Sequence, residues 1–456
     1  MEEGNMKTKR GLKLLALVGV LSLILAACGG DGGTEDTTAT TGDGAATTEA
    51  PGTTGAPGTT MAPGTTMAAG ELGTIEVAAG EPIKIASAQT ISGDTASLGE
   101  DQVRAIEIAI ADKGEILGHP IELAFDEDEG CNSEGGQTAA TRIIADPQVV
   151  AVIGTSCSGA GVPASNVITS AGRILVSGSN TSPVLTSDLA GNEGPEHHDG
   201  YFRTAHNDAI QGAAAATFVF EELGLTNVAT INDGDPYTQG LTSAFGAAYT
   251  ELGGTLVLET AVTADQTDMR PVLTEVAAAG AELIFFPIFQ PAGDFIAEQA
   301  LEVAGLEETV LMGADGLLSD TYVVLPQTEN MYFSGPQTPT GDAYDEFVAK
   351  YQEAYGEAPI QSFHAHAYDA TNMVFTAIEE AATDDGSGNL TIDLQALRDS
   401  MYGQTHAGLT GELSCDEFGD CAAPNIDILQ NTADTADIAA VRANILATYS
   451  AEQLGF

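Results

Sequence analysis

Short apolar runs alternate with helical patterns along residues 82–335, and the alternation comes in two series, about 82–203 and about 226–335. Strands are expected at Ile83–Ala88, Ile121–Phe125, Val149–Ile153 and Ile174–Val176, then at Val228–Ile231, Thr255–Thr260, Leu283–Pro287, Val310–Met312 and Met331–Phe333. Such runs lack a polar face, as strands buried on both sides do. The segments between them repeat apolar residues at helical spacing, so each series predicts a parallel sheet covered by helices. Each has the length of one doubly wound domain. After Gly335 the order changes to long helices, about 340–355 and 362–382, a shorter one at Leu394–Met401, and late strands near Gly411–Ser414 and Ile426–Leu429. The fold class expected is α/β, with two doubly wound parallel-sheet lobes joined by a multi-crossover hinge. The expected lobes are 76–204 with 338–408, and 205–337 with 409–456. Ligands of such folds bind in the cleft at the carboxyl ends of the strands.

The chain opens with Lys7, Lys9, Arg10 and Lys13 before the apolar run Leu14–Ala27, which is too short for a stable membrane span and reads as an export signal over 1–27. It ends in Leu25-Ala26-Ala27-Cys28, which resembles a lipoprotein lipobox and makes Cys28 the expected lipidation site. Residues 28–75 are mostly Thr, Gly, Ala and Pro, cannot bury a core, and are expected to be a disordered tether. About 45 such residues give an average reach of roughly 35–40 Å. The expected setting is therefore the outer face of the cytoplasmic membrane, held by lipid alone.

The chain carries 66 acidic and 14 basic residues. Residues 1–27 hold Glu2, Glu3 and four of the bases, so 64 acids face 10 bases in the remainder. That balance argues against nucleic acid and against anionic lipid headgroups. With Cys28 set aside, four cysteines remain. Cys131 and Cys157 lie on loops after neighbouring strands and could pair, and Cys415 and Cys421 flank a turn and could staple it. His197-His198 and His364-x-His366 lack a converging third ligand and read as surface or packing residues. No nucleophile elbow, HExxH or P-loop occurs. No catalysis, metal or cofactor is expected.

The stretch Val149–Pro183 carries the strongest functional signal. A strand ends in Gly154-Thr155-Ser156-Cys157-Ser158-Gly159, a helix follows with Pro163 in its first turn, and the next strand ends in Gly178-Ser179-Asn180-Thr181. Unpaired N–H groups at a helix start, beside serine and threonine hydroxyls, suit a carboxylate. Asp94 and Asp235 fall in Gly-containing loops and are expected to be solvated turn residues.

Ordered motifs over 80–430 resemble type I periplasmic binding proteins, closest to the leucine/isoleucine/valine receptors of ABC importers. They are Ile91-Ser92-Gly93 with Ser97-Leu98-Gly99, Ile116 to Leu123, Asp126-Glu127-Asp128 with Cys131, Val152-Ile153-Gly154, Pro163-Ala164-Ser165, Phe202-Arg203-Thr204, Tyr237 with Gly240, Gly313-Ala314-Asp315-Gly316, and Gly411-Glu412-Leu413. The resemblance implies a clamp for a zwitterion, with Ser158 and Thr181 on the carboxylate, and with the Ser179 carbonyl and Asp315 on the ammonium. It implies a side-chain pocket of Leu98, Tyr237 and Phe289, a Cys131–Cys157 disulfide, a monomer, and an ABC permease as partner. The ligand expected is a small, apolar α-amino acid. An amide, urea or aromatic acid read by a sensor of the same fold is the alternative.

Overall fold

The computed structural model describes residues 72–456 apart from 423. The export signal, Cys28 and most of the expected tether lie outside the described residues. Two sheets organise the chain. The first has six strands in the order Glu115–Ile116, His119–Asp128, Ile83–Gln89, Val149–Gly154, Ile174–Ser177, Tyr201–Arg203, and is parallel except for the short hairpin at one edge. The second has seven, in the order Ile445–Ser450, Asn425–Gln430, Tyr332–Pro336, Val310–Ala314, Leu283–Phe285, Asn227–Asn232, Thr255–Ala261. Its first five strands in chain order run parallel, and the two from the end of the chain join antiparallel.

Apolar clusters cover both faces of each sheet, which is why the central strands carry no polar face. All six residues of Val149–Gly154 are buried. The chain passes between lobes three times: after Arg203, after Pro336 into the helix Asp342–Tyr355, and just before Asn425. The helix His364–Ala381 packs along Ala96–Lys113 in the first lobe.

Two expected boundaries shift. Thr74–Val77, placed half in the tether, pairs with Leu390–Asp393, and Ala382–Asp384 completes this small sheet. The segment 409–422, expected in the second lobe, packs on the first. Leu413 and Cys421 enter the first lobe's core, and Asp420 pairs with the fully buried Arg203. A buried guanidinium without a counter-charge would be strongly destabilising, and that requirement holds the Cys415–Cys421 loop where it is. The bonds Cys131–Cys157 and Cys415–Cys421 both form.

Candidate ligand-binding site

The strand Val149–Gly154 delivers the chain to Thr155-Ser156-Cys157, and the helix Ser158–Ser170 starts at once. This start is two residues earlier than expected, so Pro163 sits in the second turn rather than the first. Cys157, at the cap position, gives no side-chain hydrogen bond to the helix; its carbonyl accepts from the Ala160 and Gly161 N–H groups, which leaves the Ser158 N–H without a partner among the described residues.

The loop is fixed from behind. The buried Glu129 carboxylate accepts from the N–H groups of Cys131 (2.6 Å), Ser156 (3.1 Å) and Cys157 (3.0 Å). Burial lifts its pKa to about 8, and the three N–H groups oppose that rise. The Cys131–Cys157 disulfide ties the same two loops covalently. Glu129 follows the quoted acidic triplet directly, but its role depends on three N–H groups that converge only in the fold.

Six of the seven residues expected at the site line one cavity between the lobes: Leu98, Ser158, Ser179, Tyr237, Phe289 and Asp315. The cavity is nearly closed, with a volume of about 30 Å³. Thr181 does not line it. Its hydroxyl is buried beside the Asp208 carboxylate without closing a hydrogen bond, and its N–H has no partner among the described residues. The Ser158 hydroxyl accepts from the Ser182 N–H at 3.3 Å, and Ser179 donates to the Ser156 carbonyl at 2.8 Å.

The second lobe brings the acid. Asp315 follows the strand Val310–Ala314 and is 6% exposed. Its Oδ1 accepts from Gln211 Nε2 at 2.7 Å and from the Tyr237 hydroxyl at 3.2 Å. Burial raises its pKa to about 6, against those two hydrogen bonds. No cation of the described residues pairs with it. Burial and the nearby Asp315 raise the Asp208 carboxyl further. Tyr237 and Phe289 form one aromatic wall, with ring centroids 5.2 Å apart.

The lobes also touch beside the cavity. Ser182 donates to the Pro236 carbonyl at 2.8 Å. Asp235, expected to be a solvated turn residue, instead caps its own helix through the Tyr237 N–H (2.8 Å) and faces Gly159 of the other lobe. A Cβ on Gly159 would lie 2.1 Å from an Asp235 carboxylate oxygen, so only glycine permits this approach. Burial raises the Asp235 pKa to about 6. Asp94 stays exposed at the rim.

The cavity wall is more polar than expected. Ser97, Gln290, Ser319 and Gln361 line it together with the apolar Phe363. Of these only Ser97 lay within a recognisable motif. His364 and His366 are buried, with pKa values lowered by burial to about 3. Among the described residues no group of His, Cys, Asp or Glu is arranged to hold a metal ion.

The family described as periplasmic binding protein matches residues 82–417. The chain belongs to that family. A Leu/Ile/Val-binding protein homologue of Brucella melitensis is 29% identical over 363 residues, 77% of this chain and 92% of the relative. An amino acid binding protein of Pseudomonas aeruginosa is 31% identical over 241 residues, 52% of this chain and 62% of that protein. Among solved structures, the leucine binding protein of Thermotoga maritima superposes with a TM-score of 0.67 at 23% identity, covering 81% of this chain and 99% of that one. The solved proteins share the type I periplasmic binding protein fold with this chain. The family is one of solute-binding proteins rather than enzymes, and it implies an extracytoplasmic setting. No helix among the described residues is long and apolar enough to cross a membrane.

Proposed function

We propose that this protein captures a small α-amino acid outside the cytoplasm and delivers it to an ABC importer. The observation that carries the reading is the pairing of opposite chemistries across one cavity. The open Ser158 N–H and hydroxyl stand on one side, and the buried Asp315, without a cation among the described residues, on the other. The Ser158 N–H and hydroxyl take the carboxylate, and the Ser179 carbonyl and Asp315 take the ammonium, while Thr181 stands behind the cavity wall. Leu98, Tyr237, Phe289 and Phe363 sheath the side chain. A ligand carrying both charges satisfies both walls, whereas a simple acid or amine leaves one of them unpaired. Names among the relatives, such as the Leu/Ile/Val-binding homologue, agree with this class of ligand. The ligand joins the first lobe, and hinge closure then brings up the second.

The Leu25–Cys28 sequence supports a lipid anchor on Cys28, with the Thr-rich segment as its tether. A Cys28→Ser protein is expected to leave the membrane fraction. The deciding measurement for function is a calorimetric titration of ligand-stripped protein with the twenty amino acids, urea, acetamide and 4-hydroxybenzoate. Micromolar binding of an amino acid, on the order of −8 kcal/mol, is expected. Binding of the non-amino acids alone would replace the zwitterion reading.

A further inference from the structure

The polar wall of the cavity has a definite origin. Gln361 lies in the segment that precedes the helix His364–Ala381, and this segment is pinned to the first lobe by Asp101. The Asp101 carboxylate accepts from the N–H groups of Ile360 (2.7 Å) and Gln361 (2.6 Å), and from the Tyr351 hydroxyl. The backbone at Gln361 is thereby fixed, and its side chain is directed to the cavity while only 7% of the residue is exposed. One end of the amide meets Ser97, Nε2 to Oγ at 2.8 Å, and the other end has no partner among the described residues. Turning the amide over exchanges its two ends but leaves the same count, one end satisfied and one free.

An aliphatic side chain pressed against this wall would remove water from that free end and replace nothing. A carboxamide supplies both an N–H donor and a carbonyl acceptor, so it complements Gln361 in either orientation, and Ser97 on the same cavity wall adds a hydroxyl. A carboxylate would meet the Asp94 carboxylate on the same cavity. Leu98, Phe289 and Phe363 suit the methylene stem that joins such a group to the α-carbon.

We propose that the captured amino acid ends in a side-chain carboxamide, as glutamine and asparagine do, with Gln361 and Ser97 as its hydrogen-bond partners; this rests on the amino-acid reading above. The test titrates the ligand-stripped full-length protein with glutamine, asparagine, leucine and lysine, beside Gln361→Met and Ser97→Ala variants whose melting temperatures are checked first. Glutamine or asparagine is expected to bind at least ~10-fold tighter than leucine. Gln361→Met should reduce or reverse that preference, and Ser97→Ala should weaken it with the Gln361 backbone still held by Asp101. Leucine binding as tightly as the amides, or both variants weakening all ligands alike, overturns the assignment. Lysine as the tightest ligand overturns it in favour of a cationic tip at Asp94. Failure of every amino acid to bind removes the underlying function instead.

Discussion

The two lobes meet the same cavity with opposite means. The first presents neutral donors on a loop fastened by Glu129, by the Cys131–Cys157 disulfide and by the start of a helix. The second presents a single carboxylate, Asp315, held by two neutral donors, Gln211 and Tyr237, and raised in pKa by burial. One wall is fixed by its own backbone and offers the neutral Ser158 N–H and hydroxyl. The other stores an unpaired buried charge that only a cationic group from outside relieves. Closure around a ligand therefore depends more on the second lobe, while the first sets position.

The largest expected effect follows from that asymmetry. Asp315→Ala leaves a buried ammonium without its partner, and affinity should fall by at least ~2 kcal/mol, about 30-fold, in calorimetry. Asp315→Asn should lose binding as well, yet melt higher than wild type without ligand. A carboxyl with its folded pKa raised to about 6 weakens the fold as pH rises from about 4 to 6, and the penalty persists at neutrality. An unchanged affinity in either variant would remove Asp315 from the clamp and make the two walls equivalent.

Legibility of the sequence follows the same contrast. The central strands could be read because burial on both faces removes their polar residues, as in Val149–Gly154. Tyr201–Arg203 was quoted only as part of a motif, since a strand of three residues that includes a buried arginine shows no apolar run. Ile445–Ser450 has no buried residue and gains its place from pairing with Asn425–Gln430, so periodicity carried no sign of it. At the site, Ser158 and Ser179 were readable because they follow strand ends within one short stretch. Gln211 and Gln361 were not. Each meets its partner across a long chain separation, 104 residues to Asp315 and 264 to Ser97, and nothing local in the sequence records such a meeting.

A pH titration separates the walls without a mutation. In the proposed clamp the ligand ammonium requires an ionised Asp315, whose pKa in the free protein is raised to about 6. Affinity should fall toward tenfold per unit below about pH 6. The sign for the fold is opposite in the same window. Asp315 and Asp235, both raised to about 6 by burial, bind protons more tightly folded than unfolded, so they add stability as pH falls from 6 toward 4. Affinity lost while the ligand-free melting temperature holds or rises assigns the effect to the clamp. Parallel loss of both would place it in the scaffold, and the distinction between the walls would fail.

The smallest effects fall within the first lobe and sharpen its description. Ser158 lines the cavity, and its hydroxyl accepts only one backbone N–H, leaving its own proton for a ligand carboxylate. Thr181 lies outside the cavity wall with its hydroxyl beside Asp208 and its N–H free. Ser158→Ala should therefore cost about 1.5 kcal/mol of binding, the loss of one hydrogen bond to a charged group, or roughly tenfold in affinity. Thr181→Val keeps the N–H and removes a hydroxyl that does not face the ligand, so affinity should change by less than about threefold. Its effect belongs to stability, because the buried Asp208 carboxyl loses its polar neighbour. Calorimetry on both variants, with melting temperatures measured without ligand, checks the pair. If Thr181→Val weakens binding as much as Ser158→Ala does, the threonine hydroxyl turns into the cavity once a ligand is present, and the first lobe is less preformed than its fastened loop implies.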